Sequence, residues 1–81
     1  MKKTEPTPQF GILFRRMRIR AGLTQTRLAA FAQYDPSLIS YVEAGKRLPN
    51  YFVLVQRIIP HLKPYNSPDD IQRLLALTWR W

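Results

Sequence analysis

The sequence has no cysteine and only one histidine, His61. Without cysteine there is no disulfide, no thiolate metal ligand and no cysteine nucleophile. A single histidine cannot form a histidine metal cluster and leaves little basis for a Ser-His-Asp site. Paired carboxylates and a nucleophile beside a base are not visible either. We therefore expect no catalytic residues, no metal, no cofactor and no small-molecule ligand, and we expect the chain not to be an enzyme.

Long apolar runs are missing as well. No segment approaches the ~20 consecutive apolar residues that a membrane-spanning helix needs. The first six residues, MKKTEP, lack the apolar stretch of a signal peptide. We therefore expect a small cytoplasmic protein that makes no membrane contact.

Acidic side chains are scarce, with 5 against 13 lysines and arginines in 81 residues, a formal net charge of +8. The excess lies in residues 1–63, which carry 11 basic and 3 acidic side chains, whereas residues 64–81 carry 2 of each. A basic surface attracts anionic partners. The charge distribution thus favours a polyanion-binding face in the first three quarters of the chain. The alternative is a solvated surface that only aids solubility.

Apolar residues at helical spacing, together with cap signals, predict five helices and no strand. The helix starts are Thr7-Pro8, Thr24, Asp35-Pro36, Asn50 and Ser67-Pro68. We expect Gly22 and Gly45 to end the first and third helices, and Pro60 to end or kink the fourth. The predicted fold is a compact all-α domain of five helices. It consists of a flexible basic arm over residues 1–7, a unit of four helices over residues 8–62, and a loop with a C-terminal helix over residues 63–81.

The segment from residue 22 to residue 45 carries the most informative pattern. It reads as two short helices joined by a turn of about three to four residues. Ala29 falls where two crossing helices must approach closely, and Leu28, Tyr34, Ile39 and Val42 have the spacing to fill the angle between them. The pattern predicts a helix-turn-helix, although ordinary helical bundles can show it too.

The sequence resembles the phage-repressor-type (lambda-repressor-like, or xenobiotic-response-element) helix-turn-helix proteins. The matching segments are GLTQ at 22–25, LA at 28–29, DPSLIS at 35–40 and EAGKRLP at 43–49, and the resemblance covers about residues 9–62. It implies a five-helix fold that sets its third helix into the DNA major groove. The family usually has glycine or another turn-tolerant residue where this chain has Gln33. A left-handed conformation at Gln33 would cost ~1 kcal/mol or more.

The resemblance also implies a division of labour among the DNA contacts. It places Pro36, Ser37, Leu38 and Tyr41 at base-reading positions, with Ser40 as a further candidate. Within the DNA-binding domain of residues 8–62, the phosphate contacts that it implies are Gln25, Lys46 and Arg47; the alternative for Gln25 is a solvent-exposed residue of the first turn. Further phosphate candidates are Thr24, which is mainly a cap, and the arginines on outer helix surfaces, Arg15, Arg16 and Arg27. The base-reading set contains no Arg, Gln or Asn, the residues that read guanine and adenine bidentately. For Leu38 the alternative is a core position, and for Tyr41 a surface aromatic packed on the neighbouring turn.

Arg18 and Glu43 border apolar faces on the first and third helices. In the resembling family these two positions pair as a partly buried salt bridge. The resemblance therefore implies a structural role for Arg18 and not a DNA contact. Tyr51 and Phe52, after the third helix, are expected to pack over the connection between helices three and four.

The C-terminal helix carries more apolar residues than one buried face needs. Leu77, Trp79 and Trp81 are candidates for a homodimer contact, for a contact with a partner protein such as a cognate toxin, or for contact with a downstream domain; simple closure of the core is the alternative. The sequence as a whole predicts a sequence-specific, nucleoid-associated regulator of transcription that binds double-stranded DNA, of repressor or antitoxin type. The alternative is a protein-interaction adaptor that docks a partner through its C-terminal apolar helix.

Overall fold

Five helices make up the computed structural model, which describes residues 7–79, with side chains for residues 8–78. They are α1 (Thr7–Arg20), α2 (Gln25–Ala32), α3 (Pro36–Glu43), α4 (residues 51–62) and α5 (Pro68–Trp79), with a short 3-10 turn at Lys63–Tyr65 before α5. Residues 7–79 contain no strand. The predicted all-α, five-helix fold is thus confirmed. The predicted arm, apart from Thr7, lies outside the described residues.

All five helices contribute side chains to one core. The largest side chains that are completely or almost completely buried are Phe10, Phe14, Met17, Leu28, Ile39, Val42, Leu54, Ile58, Leu62 and Leu74. The aromatic rings of Phe10 and Phe14 stack with their centroids 5.5 Å apart. Because α2 and α3 each give only one face to this core, their other faces remain in solvent.

Three of the helices end in the same way, with a residue in the left-handed conformation. Gly22 follows α1 with φ of 71°, Gln33 follows α2 with φ of 60°, and Gly45 follows α3 with φ of 79°. Glycine adopts this conformation without a steric penalty, whereas a residue with a Cβ does not. Gln33 is therefore the position of backbone strain in the turn between α2 and α3.

Two sets of hydrogen bonds hold Gln33 in this conformation. The N–H groups of Gln33 and Tyr34 donate to the carbonyls of Ala30 (3.2 Å) and Ala29 (2.9 Å), the pattern that closes many helix C-termini. The side-chain oxygen of Gln33 also accepts a 2.7 Å hydrogen bond from Nη1 of Arg57 in α4. The turn thus has a defined geometry without a glycine.

Pro60 neither ends α4 nor lies in a regular α-helix. The helix begins with an α turn at Tyr51–Val53, widens into a π turn at Leu54–Ile58 and closes with an α turn at Ile59–Leu62. The N–H of Ile59 reaches the carbonyl of Leu54, five residues back. Proline has no N–H and its ring crowds the carbonyl four residues earlier. The wider turn before Pro60 accommodates both effects, so the helix continues and Leu62 still reaches the core.

The start of α5 is tied to the end of α1. Nη1 of Arg20 lies 2.6 Å from Oδ2 of Asp70, and the Asn66 side-chain amide donates to the carbonyls of Met17 (3.2 Å) and Leu62 (2.9 Å). Hydrogen bonding from Arg20 lowers the pKa of Asp70 below its usual value. The Ser67 hydroxyl accepts a hydrogen bond from the Asp70 N–H, as its cap position predicts.

One expectation about the surface turns out differently. Tyr51 and Phe52 are 48% and 64% exposed, so neither ring is buried over the connection between α3 and α4. They lie in the first turn of α4, and the helix directs Leu54 and not these two rings into the core. Among the helices of residues 7–79, none has the length and apolar character to cross a lipid bilayer.

Candidate nucleic-acid interface

Helices α2 and α3 form the predicted helix-turn-helix, joined by the three residues from 33 to 35. Ala29 is 1% exposed, as expected for a small residue where two helices approach closely. Tyr34 is half-buried against the core, and its hydroxyl accepts a 3.2 Å hydrogen bond from the Asn50 N–H at the start of α4. The turn is therefore held against α4 as well as between its own helices.

The two faces of α3 differ sharply in exposure. Ile39 and Val42 are 0% and 1% exposed and belong to the core. The outer face carries the predicted base-reading residues Pro36, Ser37, Ser40 and Tyr41, all exposed, with Leu38 half-buried at the edge. Tyr41 is 52% exposed, so its ring and hydroxyl are accessible to a partner. Four of the five base-reading candidates, all except Leu38, thus lie on the exposed outer face of α3.

Asp35 caps the first turn of α3 and engages Ser37. The Ser37 N–H and hydroxyl both donate to Oδ1 of Asp35, at 2.9 Å and 3.0 Å. These hydrogen bonds, that from the backbone N–H foremost, lower the pKa of Asp35 below its usual value. Because its proton points to Asp35, the Ser37 hydroxyl presents lone pairs, and not a donor, to the outer surface.

Lys46 and Arg47 follow the end of α3 after Ala44 and Gly45, and both are exposed. The Lys46 N–H donates to the Tyr41 carbonyl at 2.9 Å, which folds the chain back over the last turn of the helix. A Cβ at Gly45 would lie 2.8 Å from Cα of Pro8, so the turn packs against the start of α1. Position 45 therefore needs glycine for two reasons: the backbone is in the left-handed conformation, and a Cβ would clash with Pro8.

Arg18 and Glu43 are joined by two hydrogen bonds. Nε of Arg18 lies 2.5 Å from Oε2 of Glu43, and Nη2 lies 3.0 Å from Oε1. Nη1 of Arg18 donates to the Leu23 carbonyl at 2.8 Å. The two side chains are 11% and 4% exposed. A guanidinium and a carboxylate in this geometry link α1, the loop after it and α3 in one network.

Gln25 belongs to the same network. Its Nε2 donates to Oε1 of Glu43 at 3.0 Å, and the residue is half-buried at the start of α2. The sequence places Gln25 among the phosphate contacts but does not reveal this hydrogen bond. Thr24 is exposed, and its hydroxyl accepts a 3.1 Å hydrogen bond from the Arg27 N–H. The first backbone N–H groups of α2 have no partner within the helix.

The remaining basic candidates lie at different places. Arg15 is exposed, with Nε 4.0 Å from Oε1 of Glu43, so it stands beside the start of α2. Arg27 is exposed on α2. Arg16 is exposed on α1 but lines a groove that also involves Arg73 of α5. Among the described side chains, the Glu43 carboxylate lies within ion-pair distance of Arg15 and Arg18 but not of Arg16.

Of the candidates for a dimer or partner surface, Leu77 is half-buried and packs against the core. Trp81 and the side chain of Trp79 lie outside the described residues. Ile71 and Leu74 of α5 are buried in the core, at 8% and 0% exposure. The C-terminal helix therefore does close the core, whatever else its far end contacts.

Gly11 is a structural residue that the sequence reasoning overlooks. A Cβ at this position in α1 would lie 2.5 Å from the carbonyl oxygen of Val42 and 2.7 Å from that of Glu43. Both atoms are backbone and cannot move without shifting the end of α3. The available signal is a glycine in the middle of an apolar helical pattern, which costs helix stability unless another backbone needs the space.

Comparison with known proteins gives one match. The family model described as a helix-turn-helix domain matches residues 9–78, a range that includes α5. No curated protein and no solved structure matches the chain. The match shows the family at the level of the helix-turn-helix, and the phage-repressor type stays a prediction. Since the match spans most of the sequence and coincides with the observed helices, the chain belongs to the helix-turn-helix domain family.

Proposed function

We propose that the protein is a sequence-specific regulator of transcription that binds double-stranded DNA by placing α3 in the major groove. Membership of the helix-turn-helix domain family indicates a DNA-binding regulator. The observation that carries the proposal is the arrangement around α3. Its outer face is open, and Lys46 and Arg47 lie in the turn after it. The start of α2 is joined to it through the hydrogen bond from Gln25 to Glu43.

The positioning contacts are to phosphates. The N-terminus of α2 carries unpaired N–H groups and the positive end of the helix dipole, a combination that favours an anion. An amide NH2 group has two donors, and Gln25 uses one on Glu43, so the other can point to a phosphate. Lys46 and Arg47 supply positive charge on the far side of α3. Contacts of this kind fix the register of a protein on DNA without reading the sequence.

Base reading falls to the open face of α3. Tyr41 supplies a hydroxyl that can donate to a base acceptor, and Ser37 supplies lone pairs that suit the amino group of adenine or cytosine. Pro36 and Leu38 offer apolar surface to thymine methyl groups. None of these is a bidentate contact, so each half-site contributes modest discrimination. We therefore propose binding as a dimer to two half-sites about one helical turn apart, which multiplies a weak preference.

The Arg18–Glu43 pair has a positioning role in this account. It joins α1 to the end of α3, and Gln25 joins the start of α2 to the same carboxylate. The relative placement of the phosphate-binding helix end and the base-reading helix is thereby held before DNA is bound. Preorganisation of this kind lowers the entropy that binding must overcome.

Among regulators, we propose the repressor or antitoxin type, acting on the nucleoid in the cytoplasm. A compact domain seated in the major groove excludes other proteins from the same base pairs, which is sufficient for repression. An antitoxin would combine the same DNA contacts with a toxin bound elsewhere on its surface.

A salt titration with charge variants tests the proposal. Anisotropy measurements with a labelled random-sequence duplex should show an affinity that falls with salt, with a log–log slope of about −0.9 per phosphate neutralised. Replacing Lys46 and Arg47 together by alanine should make this negative slope shallower by roughly two. Lys63→Ala is a control for one charge removed outside the interface. Equal slopes in the double variant and the wild type would contradict the proposed phosphate contacts.

A further inference from the structure

A groove of about 310 Å³ lies between α1 and the C-terminal half of α5. Its walls are Gln9, Ile12, Leu13 and Arg16 from α1 and Arg73 and Leu77 from α5. Ile12 is 62% exposed, whereas its neighbour Leu13 is 6% exposed. The groove therefore combines an apolar floor with two arginines.

The charge of the groove has one sign. Arg16 and Arg73 are exposed and neither has an ion-pair partner among the described side chains. No carboxylate lines the groove within the described part of the chain. Asp70 lies one helical turn before Arg73, but its carboxylate is engaged by Arg20 at 2.6 Å.

A second depression continues this surface along α1. It is lined by Ile12, Arg15, Arg16, Ile19 and Glu43. Ile19 is 56% exposed, two turns beyond Ile12 on the same side of the helix. Glu43, the carboxylate among these residues, is 4% exposed and already bound by Arg18. Arg15 lies 4.0 Å from this carboxylate, whereas Arg16 forms no ion pair with a described side chain. The outer face of α1 thus places two exposed isoleucines, about two helical turns apart, on either side of Arg16.

We propose that this face of α1 and α5 docks an acidic amphipathic segment of another protein. Leucines or phenylalanines on one side of such a segment would bury Ile12 and Leu77, and its carboxylates would pair with Arg16 and Arg73. Arginine suits this task because its planar fork binds carboxylates bidentately and its stem packs on apolar surface. The charge complementarity selects the occupant, and the inference goes beyond the proposed DNA binding without depending on it.

Other occupants fit the same surface less well. A second copy of the chain would set arginines against arginines if it docked through the same face, and like charges across an interface oppose association. DNA would satisfy the arginines but leave Ile12, Ile19 and Leu77 against a polar sugar-phosphate backbone. An acidic segment with an apolar side matches both features at once.

The test uses a labelled peptide of about 16 residues, with leucine at helical spacing on one side and glutamate elsewhere. Two control peptides accompany it. One keeps the composition but is scrambled so that the apolar side is lost, and the other keeps the leucine spacing but replaces each glutamate by lysine. We expect micromolar binding of the first peptide and affinities at least about tenfold weaker for both controls. Equal binding of the scrambled acidic peptide would overturn the proposal, because charge alone would then suffice.

Variants locate the binding face. Arg73→Glu and Ile12→Ser change exposed side chains, so both should fold, which thermal melting checks. Each should weaken peptide binding by about tenfold or more. Lys63→Glu, the same charge change outside the groove, and Arg47→Glu, in the candidate nucleic-acid interface, should leave it within about twofold. A loss confined to Arg47→Glu, or no binding by the wild type, would overturn the proposal. The effect of Arg73→Glu on DNA affinity is expected to be small, which separates this face from the proposed DNA contacts.

Discussion

Arg18 and Glu43 lie 25 residues apart in the sequence and meet at 2.5 Å and 3.0 Å through two hydrogen bonds. The carboxylate also accepts from Gln25, so three helices converge on one buried acidic side chain. A carboxylate that is 4% exposed is costly without a cation and satisfied with one. Of the contacts described, this pair couples the stability of the domain most directly to the geometry of its candidate nucleic-acid interface.

Replacing Arg18 by alanine should leave the buried Glu43 carboxylate without its guanidinium partner. We expect a loss of ~3–5 kcal/mol in the free energy of unfolding, the range for breaking a buried pair by removing one partner. Urea denaturation followed by circular dichroism measures this. The double variant Arg18→Ala with Glu43→Leu should regain most of the loss, since no charge is then stranded. Additive losses in the double variant would count against the pairing.

Gln33→Gly should stabilise the protein. Gln33 has φ of 60°, and the left-handed conformation costs a residue with a Cβ roughly 1 kcal/mol that glycine does not incur. The change also removes the exposed hydrogen bond to Arg57. Gln33→Ala is the matched control, because it loses the same hydrogen bond but keeps the strain. We expect the free energy of unfolding of Gln33→Gly to be about 1 kcal/mol higher than that of Gln33→Ala. Equal stabilities of the two variants would show that the backbone at position 33 is not strained.

Gly11→Ala should destabilise the protein, although alanine is normally preferred to glycine inside a helix. In a helix interior, alanine is more favourable than glycine by about 1 kcal/mol. Here the added Cβ would lie 2.5 Å from the Val42 carbonyl oxygen, so α1 and α3 would have to separate. We expect a lower melting temperature and, because α3 shifts, weaker DNA binding. A higher melting temperature would mean that the two helices are not as close as described.

Acid should weaken the fold through Asp35 and Asp70. Hydrogen bonding from Ser37 and Arg20, respectively, lowers the pKa of each carboxyl in the folded protein relative to the unfolded chain. The folded state then binds fewer protons, so this stability is present above the ordinary carboxyl pKa and is lost as the pH falls through the lowered value. We expect the melting temperature to decrease once the pH is lower than about 4.

Single variants separate this pH effect from general acid unfolding. Asp70→Asn should lower the melting temperature at pH 7 and flatten its acid dependence. Asp69→Asn is the matched control, because it removes a neighbouring carboxylate and leaves the Arg20–Asp70 pair intact. If both variants show the same pH profile, the Arg20–Asp70 contact does not contribute as described.

Tyr41→Ala should affect sequence preference more than general affinity. Its exposed ring lies on the outer face of α3, and loss of a base contact costs ~1–3 kcal/mol on a preferred site. On random DNA we expect little change. Tyr51→Ala removes another exposed tyrosine, outside α3, and should change neither affinity. Equal losses on preferred and random duplexes for Tyr41→Ala would place Tyr41 among the positioning contacts and contradict base reading.

Local chemistry explains why the helices could be predicted from the sequence. Thr24, Asp35 and Asn50 all accept hydrogen bonds from N–H groups in the first turns that follow them. Such caps act within three residues, so a sequence pattern reveals them. The apolar positions of α3 likewise follow a period that places Ile39 and Val42 in the core.

Long-range contacts explain what the sequence did not reveal. Arg20 and Asp70 lie 50 residues apart, and nothing in either neighbourhood indicates the other. The close approach that requires Gly11 and the hydrogen bond from Gln25 to Glu43 likewise depend on how helices are placed. The π turn before Pro60 has the same origin, because Pro60 lacks an N–H while Leu54 and Leu62, on either side of it, must both reach the core.

Selection from a pool of randomised duplexes of about 20 base pairs, read out by sequencing at low and at physiological salt, measures whether the protein prefers particular DNA sequences. We expect enrichment of a two-fold site whose half-sites lie about one helical turn apart, and we expect Tyr41→Ala to lose that enrichment. Salt-sensitive binding without any enriched sequence, or no binding at low salt, would contradict a sequence-specific regulator.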